Sequence, residues 1–511
     1  MASDVLNSLY DALQPEAAPD ANAEAILTWL QELGCRNEGV CVEPSRCFDG
    51  GLVADGPRAV AWLTLASDNG VAPAACALAD LYVDGRGVKQ STKLARRWYK
   101  RASDAGSTRA QFKASKKSIE ATRAAIRAEV ARVNALPAEE RAKIGDKYTD
   151  PEKLWLALEA GDGKSTLVLS ASWLRKQKVA DGFRLPKRGD PLPPEAIISV
   201  ARLREIAKAP KAAKSGEYEE GKCNYGALPV IALSHFWRTK EHPDPDGETA
   251  GLVIDALNQR WGDFEKWGVT DLGVIIDWCA LWQAPRETPE KQLAFSAGLK
   301  GINQWYAHIG TTVWLITAGA DRVNGLKYWD KGWTSFEYCL AMLIKPANTS
   351  AFKDWPQVVD LGKEYNEDKY KDAQTRFDRP PLTEPLAFFG GHAYGDKTYT
   401  NGADRDEIVA PKFRETMFEV MGGVRELNFN QLKWGDEGIK ALAVVLPLCG
   451  QLTTLRLSGN GIGPEGARAI GEWLRENRSL TSLSINFNKI GVEGAKAFAN
   501  ALRVNRSLTI L

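Results

Sequence analysis

The sequence lacks most of the features that announce a function. Its 511 residues carry 66 lysines and arginines against 65 aspartates and glutamates. No charge excess is left to hold nucleic acid or a membrane by bulk attraction, and no acidic tail is present. Cysteine is scarce, 8 in all, which excludes a disulfide scaffold. Cys35, Cys41 and Cys47 are evenly spaced, but their gaps do not match zinc hooks and no histidine lies near them. They read as free thiols in a reducing compartment. The N-terminus has neither a basic flank nor an apolar block, so no secretory signal is expected. Gly301–Ala320 is uncharged for the length of a membrane span. Asn303, Gln304, His308, Gly310, Thr311 and Thr312 interrupt it, and it reads as a helix end followed by a strand. Methionine is rare, 4 against 17 tryptophans. Nine of those tryptophans fall between Trp237 and Trp333, so the aromatic excess is local. The expectation is a cytoplasmic multidomain protein without membrane contact, needing no cofactor.

What is present is repetition at both ends. Ala59, Trp62, Ala66, Gly70 and Ala74 recur 36 residues later as Ala95, Trp98, Ala102, Gly106 and Ala110. Tryptophan and alanine at these spacings let two helices pack closely, and each glycine ends a helix. Leu78–Ser91 reads as a helix closing in a glycine-rich turn. Together with the turn Gly85–Val88, Gln90 and the pair Trp98–Tyr99, this resembles the Sel-one-like repeats, helical hairpins related to tetratricopeptide repeats. The resemblance covers about 55 residues and implies protein binding or packing.

The C-terminus repeats every 28 residues: Leu427, Leu455, Leu483 and Leu511 are in register, as are Gly438, Gly466 and Gly494. Each unit reads as a strand, an Asn-bearing turn and an amphipathic helix. This resembles the leucine-rich repeat of ribonuclease-inhibitor type, with Asn460 and Asn488 at the turn asparagine and Leu432 departing from it. Strand residues between the buried leucines then face the concave side. They are Glu426, Asn428, Asn430, Thr454, Arg456, Ser458, Ser482, Ser484 and Asn486, small and nearly neutral, and they read equally as a partner surface or a solvated face. The repeats stop at Leu511 without a polar cap, so a covering partner or further chain is expected there.

Between the repeats, Lys93–Lys147 holds 15 basic against 6 acidic residues. Its core reads as a helix with Ile119, Ile126, Val130 and Val133 near one face. Without interleaved aromatics it reads as a solvated spacer rather than an RNA-binding helix. Gly161–Thr166 spells GDGKST, but a phosphate loop needs a glycine where Leu158 stands and a strand before it. Nucleotide binding is therefore not expected there.

Leu228–Ile344 alternates strand and helix patterns, which predicts a parallel sheet covered by helices. Ligands in such sheets bind beyond the carboxyl ends of the strands, so Ser234, His235, Trp237, Asp277 and Gln283 are the residues to weigh. Ala232–Trp237, Ile275–Gln283, the text KGINQWYAHIGTTVWLI and GWTSFE resemble the heterokaryon-incompatibility (HET) domain and its relative, the Toll/interleukin-receptor (TIR) domain. His235 stands for the usual tyrosine of the first motif and Arg238 for its glycine; Thr334 replaces the TIR cysteine. The resemblance implies self-association. For catalytically active TIR domains it also implies NAD+ as substrate, with Glu337 as the catalytic residue and Ser234, His235, Trp237, Asp277 and Trp333 around the nucleotide. A glutamate in the first turn of a helix would stay ionised and could stabilise an oxocarbenium-like ribosyl group.

The same residues have a structural reading. Thr334 and Glu337 have capping-box spacing, with Trp333 and Tyr338 placed as a hydrophobic staple. Ser234 and His235 are adjacent on a strand and point to opposite faces, which argues against a hydrolase triad. His235, His242, Asp244 and Asp246 could be imagined as metal ligands, but the proline-rich text HPDPDG reads as a rigid loop instead.

The expected organisation is a helical segment (1–50), Sel-one-like repeats (51–112), a basic helical spacer (113–148) and a helical lead-in (149–226). A HET/TIR-like α/β domain (227–350), a linker (351–420) and leucine-rich repeats (421–511) follow. The expected function is signalling or scaffolding through repeat-bound proteins and possible homo-oligomers. The alternative is an NAD+ glycohydrolase centred on Glu337.

Overall fold

Five short apolar runs build the main sheet of the computed structural model. They are Leu169–Ser170 (β1), Val230–Ser234 (β2), Gly273–Ile275 (β3), Thr312–Leu315 (β4) and Val358–Asp360 (β5). The strand order is β1-β3-β2-β4-β5. β2 pairs in parallel with both β3 and β4, β4 with β5, and β1 lies antiparallel on the edge. Every residue of β2, β3 and β4 is buried. Strands covered on both faces need no polar alternation, which is why VIALS, GVI and TVWL read as continuous apolar runs.

The structure describes scattered residues between 60 and 101, then 123–161, 165–208, 227–345, 355–362, 379, 382, 397–399 and 404–511. The chain divides into two compact units, 1–121 and 122–511. In the first, Ala75, Leu78, Ala79 and Ala95 are buried, and the Ser91 hydroxyl accepts from the Leu94 amide at 3.3 Å to start a helix. Cys35, Cys41, Cys47, Ala59, Trp62, Ala66, Gly70, Ala74, Gly85, Gln90, Tyr99, Ala102, Gly106, Ala110 and Ile119 lie outside the described residues, as do 162–164 of the GDGKST text.

In the second unit residues 123–134 are helical, with Ile126 buried and Val130 and Val133 half-buried on one side. Pro151–Glu159 (α1) follows, capped by the Asp150 side chain. Glu248–Lys266 (α2) connects β2 to β3, Pro289–Ala307 (α3) connects β3 to β4, and Gly332–Ala341 (α4) leads from β4 toward β5. The chain thus leaves β2 toward one edge of the sheet and β4 toward the other. With right-handed crossovers, α2 covers one face while α3 and α4 share the opposite one, where they pack together. Loops that diverge from adjacent strands open a crevice at their carboxyl ends.

Two expectations are corrected here. The lead-in 149–226 is not wholly helical, because it supplies β1. The linker over 351–420 supplies the fifth strand, β5, and most of a helix, Ala410–Gly423 (α5). α5 packs on α3 and α4, with Asn303 Nδ2 donating to Thr416 Oγ1 at 2.6 Å and the rings of Phe336 and Phe413 edge-on at 6.4 Å. Its composition hid this, since β5 is only three residues long.

α5 runs into a second sheet of Glu426–Asn428 (β6), Thr454–Arg456 (β7) and Ser482–Ser484 (β8), all parallel. Gly435–Val445 (α6), Pro464–Glu476 (α7) and Gly491–Leu502 (α8) alternate with them. Leu427, Leu455 and Leu483 face one another across the register and are fully buried, as their period requires. Trp434 Nε1 donates to the Arg379 carbonyl at 2.6 Å, fixing the first repeat to the α/β domain. Among the described residues no helix is long and apolar enough to cross a membrane; Gly301–Ala320 is the end of α3 followed by β4.

Candidate functional site

Ser234 ends β2 and Glu337 lies in the second turn of α4, and the fold brings them together. Ser234 Oγ is 2.6 Å from Glu337 Oε2 and 2.6 Å from Tyr328 OH. Tyr328 OH donates to the Thr334 carbonyl at 3.2 Å, and Tyr306 OH donates to the Leu233 carbonyl at 3.1 Å. Ser234 is fully buried and Glu337 is 6% exposed. Burial pushes the Glu337 carboxyl well above its ordinary value; the Asp277 charge adds to the rise, against the hydrogen bonds from Ser234 and Tyr306. Ser234 Oγ donates to Glu337 Oε2 and Tyr328 OH to the Thr334 carbonyl, so the buried carboxyl and hydroxyls satisfy one another away from solvent.

This overturns two expectations about Glu337. It does not stand in the first turn, because α4 begins at Gly332 and the free amides lie a turn away, and burial pushes its carboxyl up where helix amides would have pulled it down. Nor does it form a capping box with Thr334. Thr334 Oγ1 donates to the carbonyls of Tyr328 and Lys331 at 2.5 and 3.2 Å. Trp333 stacks edge-on with Phe336 and Tyr338 with Trp329.

The other expected nucleotide contacts have partners of their own. His235 points to the opposite side of β2 from Ser234, as strand geometry demands, and its Nε2 is 3.5 Å from Asp277 Oδ1. Trp237 Nε1 donates to Asp277 Oδ2 at 3.2 Å, and its ring sits edge-on against Trp278 at 5.1 Å. Trp333 Nε1 donates to Asp404 Oδ2 at 3.0 Å, on the α5 side. Gln283 is held by the carbonyls of Asp277 and Leu281. Trp261, Trp278, Trp305 and Trp314 are buried, so much of the local tryptophan excess is core.

The proline-rich loop is a cap. Asp244 is fully buried and accepts from the Thr249 and Ala250 amides at 2.9 and 2.8 Å, anchoring the start of α2. His242 Nδ1 accepts from the Asp244 amide at 2.9 Å. Among the described residues no cluster of histidine, cysteine and carboxylate side chains could hold a metal ion.

An open cleft of about 1010 Å3 does lie at the crevice between the loops leaving β2 and β4. It is lined by Arg238, Glu248, Thr317, Gly319 and Arg322 among others, and neither Ser234 nor Glu337 reaches it. Burial there opposes ionisation of Glu248, but Arg238 and Arg322 outweigh it and hold the carboxyl below its ordinary value.

In the solenoid, Asn460 Nδ2 donates to the Phe429 and Leu457 carbonyls at 2.7 and 3.0 Å. Asn488 Nδ2 donates to the Leu457 and Ile485 carbonyls at 3.0 and 2.8 Å. The asparagines satisfy turn carbonyls within the solenoid, the role their positions anticipate. Residues 45–71 and 72–107 match the Sel1 repeat family, and residues 451–471 and 476–499 match the leucine-rich repeat family. The chain carries Sel1 repeats near its N-terminus and leucine-rich repeats at its C-terminus. Neither a curated protein nor a solved structure matches it.

On the strand face of the leucine-rich repeats, Asn428, Thr454, Ser458, Ser482 and Ser484 are half-buried, while Arg456 and Asn486 are exposed. Arg456 Nε donates to Glu426 Oε1 at 2.9 Å, and Ser458 Oγ meets both Ser484 Oγ and Asn486 Oδ1. The face is a polar lattice across three repeats. Sequence reasoning missed Tyr306 and Tyr328, which read as ordinary aromatic core, and the Arg238–Glu248–Arg322 cluster. The signal for the latter was Arg238 itself, a charge in a loop directly after a buried strand.

Proposed function

We propose that this chain is a cytoplasmic interaction scaffold whose Sel1 and leucine-rich repeats bind proteins and whose HET/TIR-like α/β domain self-associates. Both matched repeat classes generally serve protein–protein contact, and repeat units stack to build extended binding surfaces. The observation that carries the reading is the contrast between the two regions. The solenoid presents its polar side chains on an open face, whereas the α/β domain seals its best acid into the core. The HET/TIR resemblance draws support from the parallel sheet and from the meeting of Ser234 with Glu337 at a strand end.

Cleavage of NAD+ at Glu337 is the second reading, favoured by that same meeting. The burial of Glu337 weighs against it, since burial disfavours the ionised carboxylate that would offset charge on a ribosyl group. Three measurements separate the readings. Arg456→Glu with Ser484→Arg should strip a set of proteins from the purified complex while leaving the melting temperature unchanged, and light scattering should show concentration-dependent self-association. Nicotinamide release from NAD+ should stay at background; release that Glu337→Ala abolishes would establish the enzyme instead.

A further inference from the structure

The cleft beyond β2 and β4 holds a charge arrangement that packing does not require. Arg238 leaves the end of β2 with its side chain only 2% exposed. Its Nη1 pairs with Glu248 Oε2, its Nη2 reaches the Ala318 carbonyl at 3.4 Å, and its Nε finds no hydrogen-bond partner among the described residues. Arg322 Nη2 pairs with the other oxygen of Glu248 and lies 3.1 Å from Asp246 Oδ2. Asp321 does not compete for either arginine. Lys331 Nζ holds it at 2.5 Å, and the Val323 and Asn324 amides donate to it at 2.7 and 2.9 Å. One carboxylate therefore bridges two guanidinium groups at the rim of an open cleft.

Room for Arg238 is built into the opposite loop. Gly319 has φ +88°, and a Cβ there would stand 2.5 Å from Arg238 Nη1 and 2.8 Å from its Cζ. Only glycine combines that backbone with that clearance. The Glu248 side chain is 49% exposed and is free to swing into solvent, whereas Arg238 is fixed. A guanidinium pair with a displaceable carboxylate between them has the donor geometry that recognises carboxylate and phosphate groups. The cleft volume suits a ligand of metabolite size.

We propose that this cleft binds a small anionic ligand, its carboxylate or phosphate group gripped by Arg238 and Arg322 in place of Glu248. This site is separate from the buried Glu337 chain and from the repeat surfaces, and does not depend on what either does.

The test is calorimetric titration of the full chain with sodium pyrophosphate and with sodium citrate at constant ionic strength. At least one should bind saturably; pyrophosphate alone assigns phosphate recognition, and citrate alone assigns carboxylate recognition. Arg322→Ala, at an exposed position, should weaken binding about tenfold, the size of one lost charge-assisted hydrogen bond. Glu248→Gln should tighten it about threefold or more, because a neutral amide competes less well for the arginines. Thermal melts confirm that both variants remain folded. Saturable binding of neither anion overturns the proposal, as does unchanged affinity in Arg322→Ala. Equal or weaker affinity in Glu248→Gln overturns the displacement of Glu248.

Discussion

Two glutamates stand beyond the carboxyl ends of the main sheet and have their pKa values pushed in opposite directions. Glu337 is enclosed with the hydroxyls of Ser234 and Tyr328 and, among the described residues, no cation to pair with it, and burial, with the Asp277 charge, raises its pKa well above 4.5. Glu248 sits at a cleft mouth between Arg238 and Arg322, which hold its pKa below 4.5. Burial disfavours charge wherever it acts, and an opposite charge within contact reverses the outcome. His308, between α3 and β4, follows the Glu337 pattern. It is fully buried, and burial, with Lys345 nearby, lowers its pKa to about 3. Around Glu337 burial disfavours charge, and at the cleft the two arginines favour it.

The largest expected effect comes from His308. Its folded pKa of about 3 lies below the ordinary 6.5, so the unfolded chain binds the extra proton first. Stability is then present above pH 6.5 and lost as the pH falls toward 3, by on the order of 4 kcal/mol from this group. Urea midpoints measured across that range should fall with acid, and His308→Gln should flatten the slope. Glu337 works the other way. Its raised folded pKa makes the folded state the proton-rich one, so its contribution declines as pH rises from 4.5 toward the folded value. Glu337→Gln should remove that decline; a variant with the wild-type profile would break the contrast with Glu248.

Substitutions sharpen the same contrast. Glu337→Ala leaves a cavity and strands Ser234, and should cost about 3 kcal/mol in denaturant unfolding. Glu337→Gln keeps volume and an oxygen that accepts from Ser234, and should cost under about 1 kcal/mol. Glu248→Gln, though far more exposed, should cost about as much or more, ~1 kcal/mol, because screened but charge-assisted contacts to two arginines are weakened. A large loss in Glu337→Gln would mean the folded protein needs that carboxylate ionised. Ser234→Ala should cost about 1–2 kcal/mol, since Glu337 and Tyr328 both lose their partner.

The difference between sealed and open also decides what was legible in the sequence. The runs VIALS, GVI and TVWL announce buried strands, and the 28-residue period aligns Leu427, Leu455 and Leu483 without any structure. Ser234 and Glu337 were singled out together, but their relation was not legible. Whether a glutamate near a helix start is ionised depends on which side chains the tertiary fold packs around it, and Tyr306 and Tyr328 come from elsewhere in the chain. β5 escaped because three residues carry too little pattern. The Arg238–Glu248–Arg322 cluster escaped because its members stand on three separate loops or helices, brought together only by the crossing of the chain at β2.

The smallest expected effect extends the comparison to the leucine-rich repeats. Asn460 is fully buried and, like Glu337, satisfies groups that water cannot reach. Asn460→Ala would leave the Phe429 and Leu457 carbonyls without its amide and should cost about 2 kcal/mol. Arg456 is the exposed counterpart, with its side chain 47% accessible and paired to a 53% accessible Glu426. Such a pair gains little in water and is screened by salt, so Arg456→Ala should change unfolding by less than about 0.5 kcal/mol. The side chain adds little to folding, which leaves it free to serve recognition at low cost. If Arg456→Ala instead destabilises the solenoid as much as Asn460→Ala, its strand face is part of the folded lattice, and the division between sealed and open regions does not extend to the repeats.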